Sequence, residues 1–327
     1  MAAGVLPVAV TPAAVPPGPA VAATPLLRSG PLAVGAGGAG TVAFKESGGP
    51  LLRQRSTSLR FRVGRRWQRA TRIVSVRRGG RTITLRLAIT GGRRARLRLR
   101  RGRSGVIGLE ATLPGGDASA VSIAFRAPRG ERYFGFGERS NAVAQRATTV
   151  ENYVSDGPFS KESQTIVKAT IPPAGYRARA DSTYYPVPWL LSSRGYGVLV
   201  ANDETSRFKL PGARGGSWRI TAAAPRLGLR VFAGPTPARA LARFTASTGR
   251  QPAPSAPWAF GPWLQTGQPN APPLAEQFAD LQKLRLADAP VSAAETQLRY
   301  LPCGLDRDSR TTKPSASPTT TPTAWRC

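Results

Sequence analysis

The sequence predicts a mainly β chain in which a β-sandwich is followed by one β-α-β unit. Between residues 31 and 235, short runs rich in Val, Ile, Leu and Thr alternate with Gly, Pro, Asp and Asn, a pattern typical of antiparallel sandwiches. After Phe232 the apolar residues recur at helical spacing instead. The 35 glycines and 31 prolines also fit a chain with many turns.

The first 30 residues are rich in Ala and Pro and predict a flexible leader, residues 1–30. They lack the basic region of a signal peptide, and prolines interrupt the apolar run. We therefore expect either a cytoplasmic protein or a secreted one whose leader was lost to a late start codon. No stretch reaches the roughly 18 apolar residues of a bilayer-crossing helix, so we expect no membrane span.

The sandwich, residues 31–235, should contain strands wherever apolar or β-branched residues lie between turn residues. The predicted strands are 58–63, 73–76, 82–89, 95–100, 106–111, 120–126, 164–171, 189–192, 197–201, 218–222 and 228–232.

The net charge of +30 comes mostly from arginine, and its densest part includes "RARLRLR". A period of two places Leu97 and Leu99 on one strand face and Arg96, Arg98 and Arg100 on the other. We interpret this stretch as a hairpin with a solvated basic face, because no aromatic residue is interleaved as a stacking platform. We therefore predict no nucleic-acid partner, and arginine-driven nucleic-acid binding is the weaker alternative.

A short helix follows the sandwich in "TPARALARFTASTGR". Thr236 suits the N-cap, Pro237 the first helical position and Gly249 the end. With the proline-rich connector "QPAPSAP", this helix forms a linking region, residues 236–257.

Residues 258–304 predict the β-α-β unit. A strand-like run covers 258–266, a helical pattern lies in "PPLAEQFADLQKLRLA", and a second strand covers 291–301. Its apolar residues Trp258, Phe260, Trp263, Phe278 and Leu281 have too little chain to cover them, so we expect an exposed apolar patch. The Ser/Thr/Pro-rich tail, residues 305–327, is predicted to be disordered.

The residue inventory restricts the chemistry. The chain has no histidine, which excludes Ser-His-Asp and Cys-His catalysis. Its two cysteines cannot form a four-ligand zinc site. Carboxylates remain as general acids and bases, and we predict no metal and no cofactor.

The motif "RYFGFGERSN" (132–141) is not a dinucleotide fingerprint, because a serine stands at the third glycine position and no helical pattern follows. We interpret it as a bulged strand and turn whose aromatics Tyr133, Phe134 and Phe136 enter the core. The segment "YYPVPWLLSSRGYGVLVAN" (184–202) predicts an edge strand, a turn at 193–195 and a buried strand.

Five blocks together resemble the N-terminal part of glycoside hydrolase family 31, the retaining α-glucosidase and α-xylosidase family. In chain order they are "RYFGFGERSN", "TVENYVSDGPFS", "YYPVPWLLSSRGYGVLVAN", "GPTPARALARFTASTGR" and "WAFGPW". The resemblance spans roughly residues 60 to 304. It implies a galactose-mutarotase-like β-sandwich followed by a (β/α)8 barrel, and an α-linked carbohydrate as partner.

The resemblance also implies where the chemistry lies. The family's nucleophile and acid/base are aspartates on later barrel strands, and this chain ends before those strands, so we assign no catalytic residue. Asp156 matches a sandwich loop that supplies an aspartate near the sugar; a turn-forming role before Gly157 is an equal alternative. Trp263, interpreted as ending the first barrel strand, is the second substrate-binding candidate, and core packing is its alternative.

We therefore expect the N-terminal part of a retaining α-glycosidase, inactive alone because its barrel is truncated. Gln297 and Arg299 stand where many family members carry two aspartates, which also argues against full sugar recognition. The alternative is a non-catalytic, carbohydrate-binding β-sandwich.

Overall fold

The computed structural model describes residues 25–37, 39–47, 49–155, 179–266 and 274–296. The chain divides into two compact units, Met1–Gly249 and Arg250–Cys327, and each is described by itself. The strand predicted over 164–171 and the tail over 305–327 lie outside the described residues.

The first unit is built almost entirely of strands. In chain order they are β1 (Leu27–Ser29), β2 (Leu32–Gly37), β3 (Thr41–Glu46), β4 (Gly49–Arg53), β5 (Arg60–Val63), β6 (Arg66–Arg78), β7 (Thr82–Ile89), β8 (Arg94–Arg101), β9 (Val106–Thr112), β10 (Ala118–Ala127), β11 (Tyr133–Gly137), β12 (Thr149–Asn152), β13 (Pro186–Ser192), β14 (Tyr196–Val200), β15 (Ser206–Lys209), β16 (Gly216–Ala222) and β17 (Arg226–Ala233).

Thirteen of these strands form one large sheet in the order β11-β13-β14-β17-β9-β8-β7-β6-β5-β10-β16-β15-β12. The long strand β6 joins its two halves. The beginning of β6 pairs with β5 up to Arg69, and the rest pairs with β7 from Ala70 onward, with register shifts after Ala70 and Ile73. Such bulges bend a strand and increase its twist, which lets the sheet fold over on itself.

The two halves of the sheet enclose the main core. Phe136 on β11 contacts Phe208 on β15 with ring centroids 5.2 Å apart. Tyr196 on β14 lies over Trp218 on β16 at 6.5 Å, and all four rings are buried. The predicted mainly β sandwich is therefore confirmed.

Strands β1 to β4 form a separate four-stranded sheet in sequential order. They bury Leu32, Val34 and Phe44 in the same core. Strand β1 begins at Leu27, inside the segment predicted as a leader, and Leu27 itself is buried.

The predicted arginine hairpin is confirmed. β7 and β8 pair antiparallel, Leu97 and Leu99 are buried, and Arg96, Arg98 and Arg100 are exposed. The alternation along β8 therefore places every arginine of its central part on the outer face of the sheet.

The edge-strand prediction for the stretch after Tyr185 was wrong, because β13 pairs with both β11 and β14. Its prolines are tolerated because Pro186 and Pro188 precede the pairing with β14, which starts at Trp189. The turn predicted at 193–195 is present.

The predicted helix after the sandwich is confirmed as α1 (Pro237–Thr248). The Thr236 side chain accepts a hydrogen bond from the Arg239 backbone N–H, and Gly249 caps the other end with φ near 100°. Ala240 is buried, whereas its neighbour Leu241 is 41% exposed.

The second unit contains a 3-10 turn (Pro257–Phe260), strand β18 (Trp263–Thr266), helix α2 (Leu274–Leu286) and strand β19 (Ala293–Thr296). β18 and β19 pair in parallel, as a β-α-β connection requires. The strand predicted over 258–266 is therefore a 3-10 turn in its first half. A barrel beyond this unit stays a prediction.

Candidate functional site

Asp156, the predicted sugar-contacting residue, lies outside the described residues. The described chain stops at Ser155 after β12 and resumes at Arg179. The two ends are close together, since the Ser155 N–H donates to the Thr183 carbonyl at 3.1 Å. We call the described residues that flank the segment 156–178, Glu151–Ser155 and Arg179–Thr183, the base of the segment.

Two buried carboxylates hold this base together. Glu151 is 3% exposed and Asp181 is 6% exposed. Asp181 Oδ2 accepts the Glu151 backbone N–H at 2.7 Å, and Asp181 Oδ1 accepts Arg179 Nε at 2.7 Å. Arg207 Nε donates to Glu151 Oε1, also at 2.7 Å, and Arg179 Nε lies 3.7 Å from Glu151 Oε2. Both carboxylates are thus committed to arginine and backbone donors.

Arg139, from the motif "FGFGER", is buried at the centre of this base, with its side chain 2% exposed. Its Nε donates to the Phe136 carbonyl at 2.9 Å, its Nη2 to the Glu151 carbonyl at 3.0 Å, and its Nη1 to the Asp181 carbonyl. Burial lowers the pKa of Arg139, and the Asp181 carboxylate 3.8 Å away opposes that shift. One guanidinium therefore links the motif to both ends of the segment 156–178.

The glycines of the motif let it approach β13 closely. Gly137 has φ near 82°, and a Cβ there would lie 1.9 Å from the Tyr185 carbonyl oxygen. Phe136 between the glycines has φ near 71° and points into the core against Phe208. The interpretation of "RYFGFGERSN" as a bulged strand and turn is therefore confirmed, because the register with β13 shifts between Gly135 and Gly137.

The prediction that three aromatics of the motif enter the core was wrong for one of them. Tyr133 and Phe136 are fully buried, but Phe134 is only half-buried. The guanidinium of Arg132 lies 5.9 Å from the Phe134 ring centroid. Alternation along the strand puts Phe134 on the face opposite Tyr133.

An open groove of about 740 Å³ runs beside the base of the segment. It is lined by Asn152, Tyr153, Val154, Pro186, Pro188, Asn202, Asp203, Glu204, Thr205, Ser206 and Ala223.

Asn202 organises one wall of the groove. Its side-chain amide donates to Glu204 Oε2 at 3.0 Å and to the Arg226 carbonyl at 3.1 Å, while its Oδ1 accepts the Gly228 N–H at 2.8 Å. The hydrogen bond from Asn202 lowers the pKa of Glu204. Glu204 is therefore an acceptor for ligand hydroxyls and a poor general acid.

A second buried polar cluster surrounds Glu131 in the sandwich interior. Glu131 Oε1 accepts hydroxyl hydrogens from Ser192 at 2.5 Å and Tyr196 at 2.6 Å, and Trp218 Nε1 donates to the Tyr196 oxygen at 3.2 Å. Burial, followed by the Glu131 charge, raises the pKa values of Tyr133 and Tyr196. Ser192, Tyr196 and Trp218 are all buried, so this cluster lies in the interior of the sandwich.

Trp263 is the first residue of β18, whereas the sequence interpretation made it the last of a strand. Its indole is 49% exposed and lies 5.7 Å from the ring of Trp258. Sites on parallel barrels form at the carboxyl ends of strands, the end opposite to Trp263. Its substrate-binding role stays a prediction.

The described residues contain no group of three His, Cys, Asp or Glu side chains placed to hold a metal ion. Neither described helix combines the length and apolar composition that crossing a bilayer requires.

The sequence patterns singled out the motif but not Glu151, Asp181 or Asn202, and the role of Asp156 stays a prediction. Glu151 and Asp181 are 30 positions apart in the chain, and the one local signal is Arg179, two positions before Asp181. The polar pair Asn202 and Glu204 resembles an ordinary turn after a strand, which is how the sequence pattern presents it.

Residues 72–208 match the family model described as the glycosyl hydrolase 31 N-terminal galactose mutarotase-like domain. Among characterised proteins, an isomaltosyltransferase from Sporosarcina globispora is 29% identical over 149 residues, which is 44% of this chain and 12% of that protein. An alpha-xylosidase from Lactiplantibacillus pentosus is 28% identical over 136 residues, 42% of this chain and 15% of that protein.

Two solved structures show the same fold. A GH31 family sulfoquinovosidase from E. rectale aligns with a TM-score of 0.59 at 15% identity, over 80% of this chain and 40% of its own. The cycloalternan-forming enzyme of Listeria monocytogenes aligns with a TM-score of 0.54 at 17% identity, over 77% of this chain and 28% of its own. The chain thus spans less than half the length of each of these proteins. Residues 72–208 of this chain are therefore similar to the N-terminal galactose mutarotase-like domain of glycoside hydrolase family 31.

Proposed function

We propose that this sandwich is the substrate-side accessory part of a retaining α-glycosidase, and that the segment 156–178 presents Asp156 to an α-linked sugar. The observation that carries the proposal is the contact of Arg139 with both the Glu151 and the Asp181 carbonyls. A buried guanidinium that fixes both ends of a segment supports its use as a positioned element, because binding sites need a rigid base.

We further propose that the 327-residue chain does not itself hydrolyse glycosides. A retaining mechanism needs two carboxyl groups about 5–5.5 Å apart, one of them protonated. Of the described carboxylates near the groove, Glu151 and Asp181 are each held by arginine, and the Glu204 pKa is lowered. Arginine hydrogen bonds occupy one oxygen each of Glu151 and Asp181, and the lowered pKa of Glu204 favours its ionised form, which cannot protonate a leaving oxygen.

The test has two readouts on the purified chain. Incubation with maltose, isomaltose and an α-xyloside should release no sugar; release by a contaminant-free preparation would contradict the inactivity. Titration with α-linked oligosaccharides should give saturable binding that Asp156→Asn weakens about tenfold. Asp117→Asn, which removes an exposed carboxylate that does not line the groove, is the matched control, and equal binding by both variants would remove Asp156 from the site.

The groove favours one alternative, a carbohydrate-binding module that acts without Asp156. Its wall offers Tyr153 as an aromatic ring and Asn202 and Glu204 as hydrogen-bonding groups, a combination suited to sugar hydroxyls and their apolar faces. Loss of oligosaccharide binding in Tyr153→Ala, with binding intact in Asp156→Asn, would favour this module. The opposite result would favour the accessory role.

A further inference from the structure

A basic pocket of about 330 Å³ lies on the first unit, away from the groove and the base of the segment 156–178. It contains five arginines among nine lining residues, which are Arg81, Arg100, Arg101, Gly102, Arg103, Val106, Gly108, Arg230 and Ser247. The alternating arginines of "RARLRLR" predict a solvated face, but Arg100 also lines this pocket.

Sheet register explains how the pocket forms. Arg100 on β8 pairs with Gly108 on β9, and Gly108 pairs with Arg230 on β17. Neighbouring strands are about 4.8 Å apart, so the two arginine backbones stand roughly 10 Å from each other across one residue. Because Gly108 has no side chain, an open floor remains between the guanidinium groups of Arg100 and Arg230.

The loop after β8 and the C-terminal end of α1 close the pocket. Arg103 Nη1 donates to the Ala246 carbonyl at 3.0 Å, in the last turn of α1. Ser247, on the same turn, directs its hydroxyl hydrogen to the Phe244 carbonyl at 2.8 Å, which leaves its oxygen able to accept. Arg81 and Arg101 complete the lining at the ends of β7 and β8.

The charge of this pocket is uncompensated among the described residues. Their ion pairs elsewhere include Arg93 with Asp117, Arg207 with Glu151 and Arg243 with Glu46, but none involves an arginine of the pocket. Glu110, two residues beyond Gly108 on β9, faces Arg98 in the register instead. Converging like charges repel each other, so an anion in the pocket would relieve that repulsion.

We propose that this pocket binds a small ligand that carries a tetrahedral oxyanion, a phosphate or sulfate group. Guanidinium forks donate paired hydrogen bonds to such oxygens. The donors come from two strands of one sheet face and from the loop at its end, an arrangement that suits oxygens pointing in several directions better than a planar carboxylate. The pocket contains no aromatic residue on which a nucleobase could stack.

Gly108 provides a substitution that fills the pocket without breaking the sheet. A Cβ at this position would meet its nearest atoms at 3.8 Å, which is ordinary van der Waals contact. Val suits a strand, so Gly108→Val should fold and occlude the floor. Arg100→Ala/Arg230→Ala removes two charges from the pocket, and Arg94→Ala/Arg96→Ala removes two exposed charges from the same sheet as the matched control.

The experiment is calorimetric titration of the full chain at physiological ionic strength, about 0.15 M, with inorganic sulfate, inorganic phosphate, glucose 6-phosphate, glucose and duplex DNA. We expect saturable binding of at least one tetrahedral oxyanion, no binding of glucose, and at least a tenfold loss in Gly108→Val and in Arg100→Ala/Arg230→Ala. The Arg94→Ala/Arg96→Ala control should bind within about twofold of the parent chain. Tighter binding of glucose 6-phosphate than of free phosphate would identify an ester as the ligand, and the reverse would identify the free ion.

Two results would overturn the proposal. One is oxyanion binding that Gly108→Val leaves unchanged, or that all three variants, the Arg94→Ala/Arg96→Ala control included, lose to the same extent. Either outcome would mean that the oxyanion is held by general charge attraction and not by this pocket. The other is binding of duplex DNA without saturable binding of any small oxyanion, which would indicate a nucleic-acid surface.

Discussion

The rings of Trp189 and Phe244 stack with centroids 4.2 Å apart and an interplanar angle of 12°. This contact attaches α1 to β13, and Phe232 on β17 meets both rings edge-on. Trp189 and Phe232 are buried, with Phe244 packed against them. Helix α1 is therefore a covering element of the sandwich, although its sequence position suggests a linker.

This packing predicts where the chain can be shortened. A chain ending at Gly249 keeps α1 and should give more soluble protein than the full chain, because it removes the exposed rings of Trp258, Phe260 and Phe278. A chain ending at Pro235 loses the cover of Trp189 and should aggregate. Soluble yield and size-exclusion profiles test both, and equal behaviour of the two shortened chains would contradict the role given to α1.

The base of the segment 156–178 should be sensitive to the loss of one charge. Asp181→Asn leaves the buried Arg139 guanidinium without its counter-charge, and we expect a loss of about 3 kcal/mol in the free energy of unfolding. Amide exchange at Glu151, whose N–H donates to Asp181 Oδ2, should accelerate. Denaturant unfolding and exchange mass spectrometry measure the two effects.

The control for Asp181 is Asp117→Asn, which disrupts a closer, bidentate arginine pair at the surface. Arg93 holds Asp117 with two hydrogen bonds of 2.6 and 2.7 Å. Water screens this pair, so we expect no measurable change in stability. A comparable loss in both variants would mean that burial does not set the strength of the Asp181 interactions.

The two tyrosines beside Glu131 should respond differently to loss of their hydroxyl groups. Tyr196→Phe removes a donor to Glu131 and an acceptor for Trp218, and we expect a cost of about 2 kcal/mol. The Tyr133 hydroxyl is buried near Glu131 but makes no hydrogen bond of ordinary geometry among the described atoms. Tyr133→Phe should therefore be neutral or slightly stabilising, as chemical denaturation at neutral pH would show.

Alkaline stability gives an independent test of the same cluster. Burial, and then the Glu131 charge, raises the pKa values of both tyrosines above that of the unfolded chain. Titration of the two tyrosines leaves the free energy of unfolding unchanged below their unfolded pKa of about 10. It lowers this free energy as the pH rises from there toward the pKa values of the folded chain. Each tyrosine should contribute a fall of about 1.4 kcal/mol per pH unit in this window. Tyr133→Phe should reduce the slope by that amount, and an unchanged slope would contradict the shift.

Two glycines, one just before the motif and one inside it, predict a graded response to alanine. Gly130→Ala introduces a side chain at φ near 78° with no atom within 4 Å of its Cβ, so only backbone strain of about 1 kcal/mol applies. Gly137→Ala adds a clash 1.9 Å from the Tyr185 carbonyl oxygen and should cost roughly 3 kcal/mol or more. Thermal unfolding of the two variants separates strain from close approach; similar losses would mean that contact with β13 is unimportant.

Features with a short sequence period could be predicted from the sequence. β7 has the predicted bounds, Thr82–Ile89, and α1 ends where its capping glycine predicts. The continuous strand β6 (Arg66–Arg78) was predicted only as 73–76, because its bulges interrupt the alternation. The four-residue strands β12 and β15 were missed, since they are too short to show a period.

The candidate sites were harder to predict because their residues meet only after folding. Arg139 was quoted within a motif, but its partners Glu151 and Asp181 are 12 and 42 positions away. The arginines Arg100 and Arg230 appear as separate surface charges in the sequence, and only the register across β9 makes them neighbours. Charged residues are usually solvated, so composition alone favours the simpler interpretation.

The pairing of β9 with β17 and of β10 with β16 has a consequence during synthesis. Ser122 meets the Ile220 carbonyl from 98 positions away, so β9 and β10 leave the ribosome long before β17 and β16 exist, although their other neighbours β8 and β5 are already made. Until residue 233 has emerged, each strand presents one unpaired backbone edge and its apolar side chains to other nascent chains. We therefore expect chaperone capture in that interval to decide how much of the protein reaches the native state. The final stability of the native state should matter less.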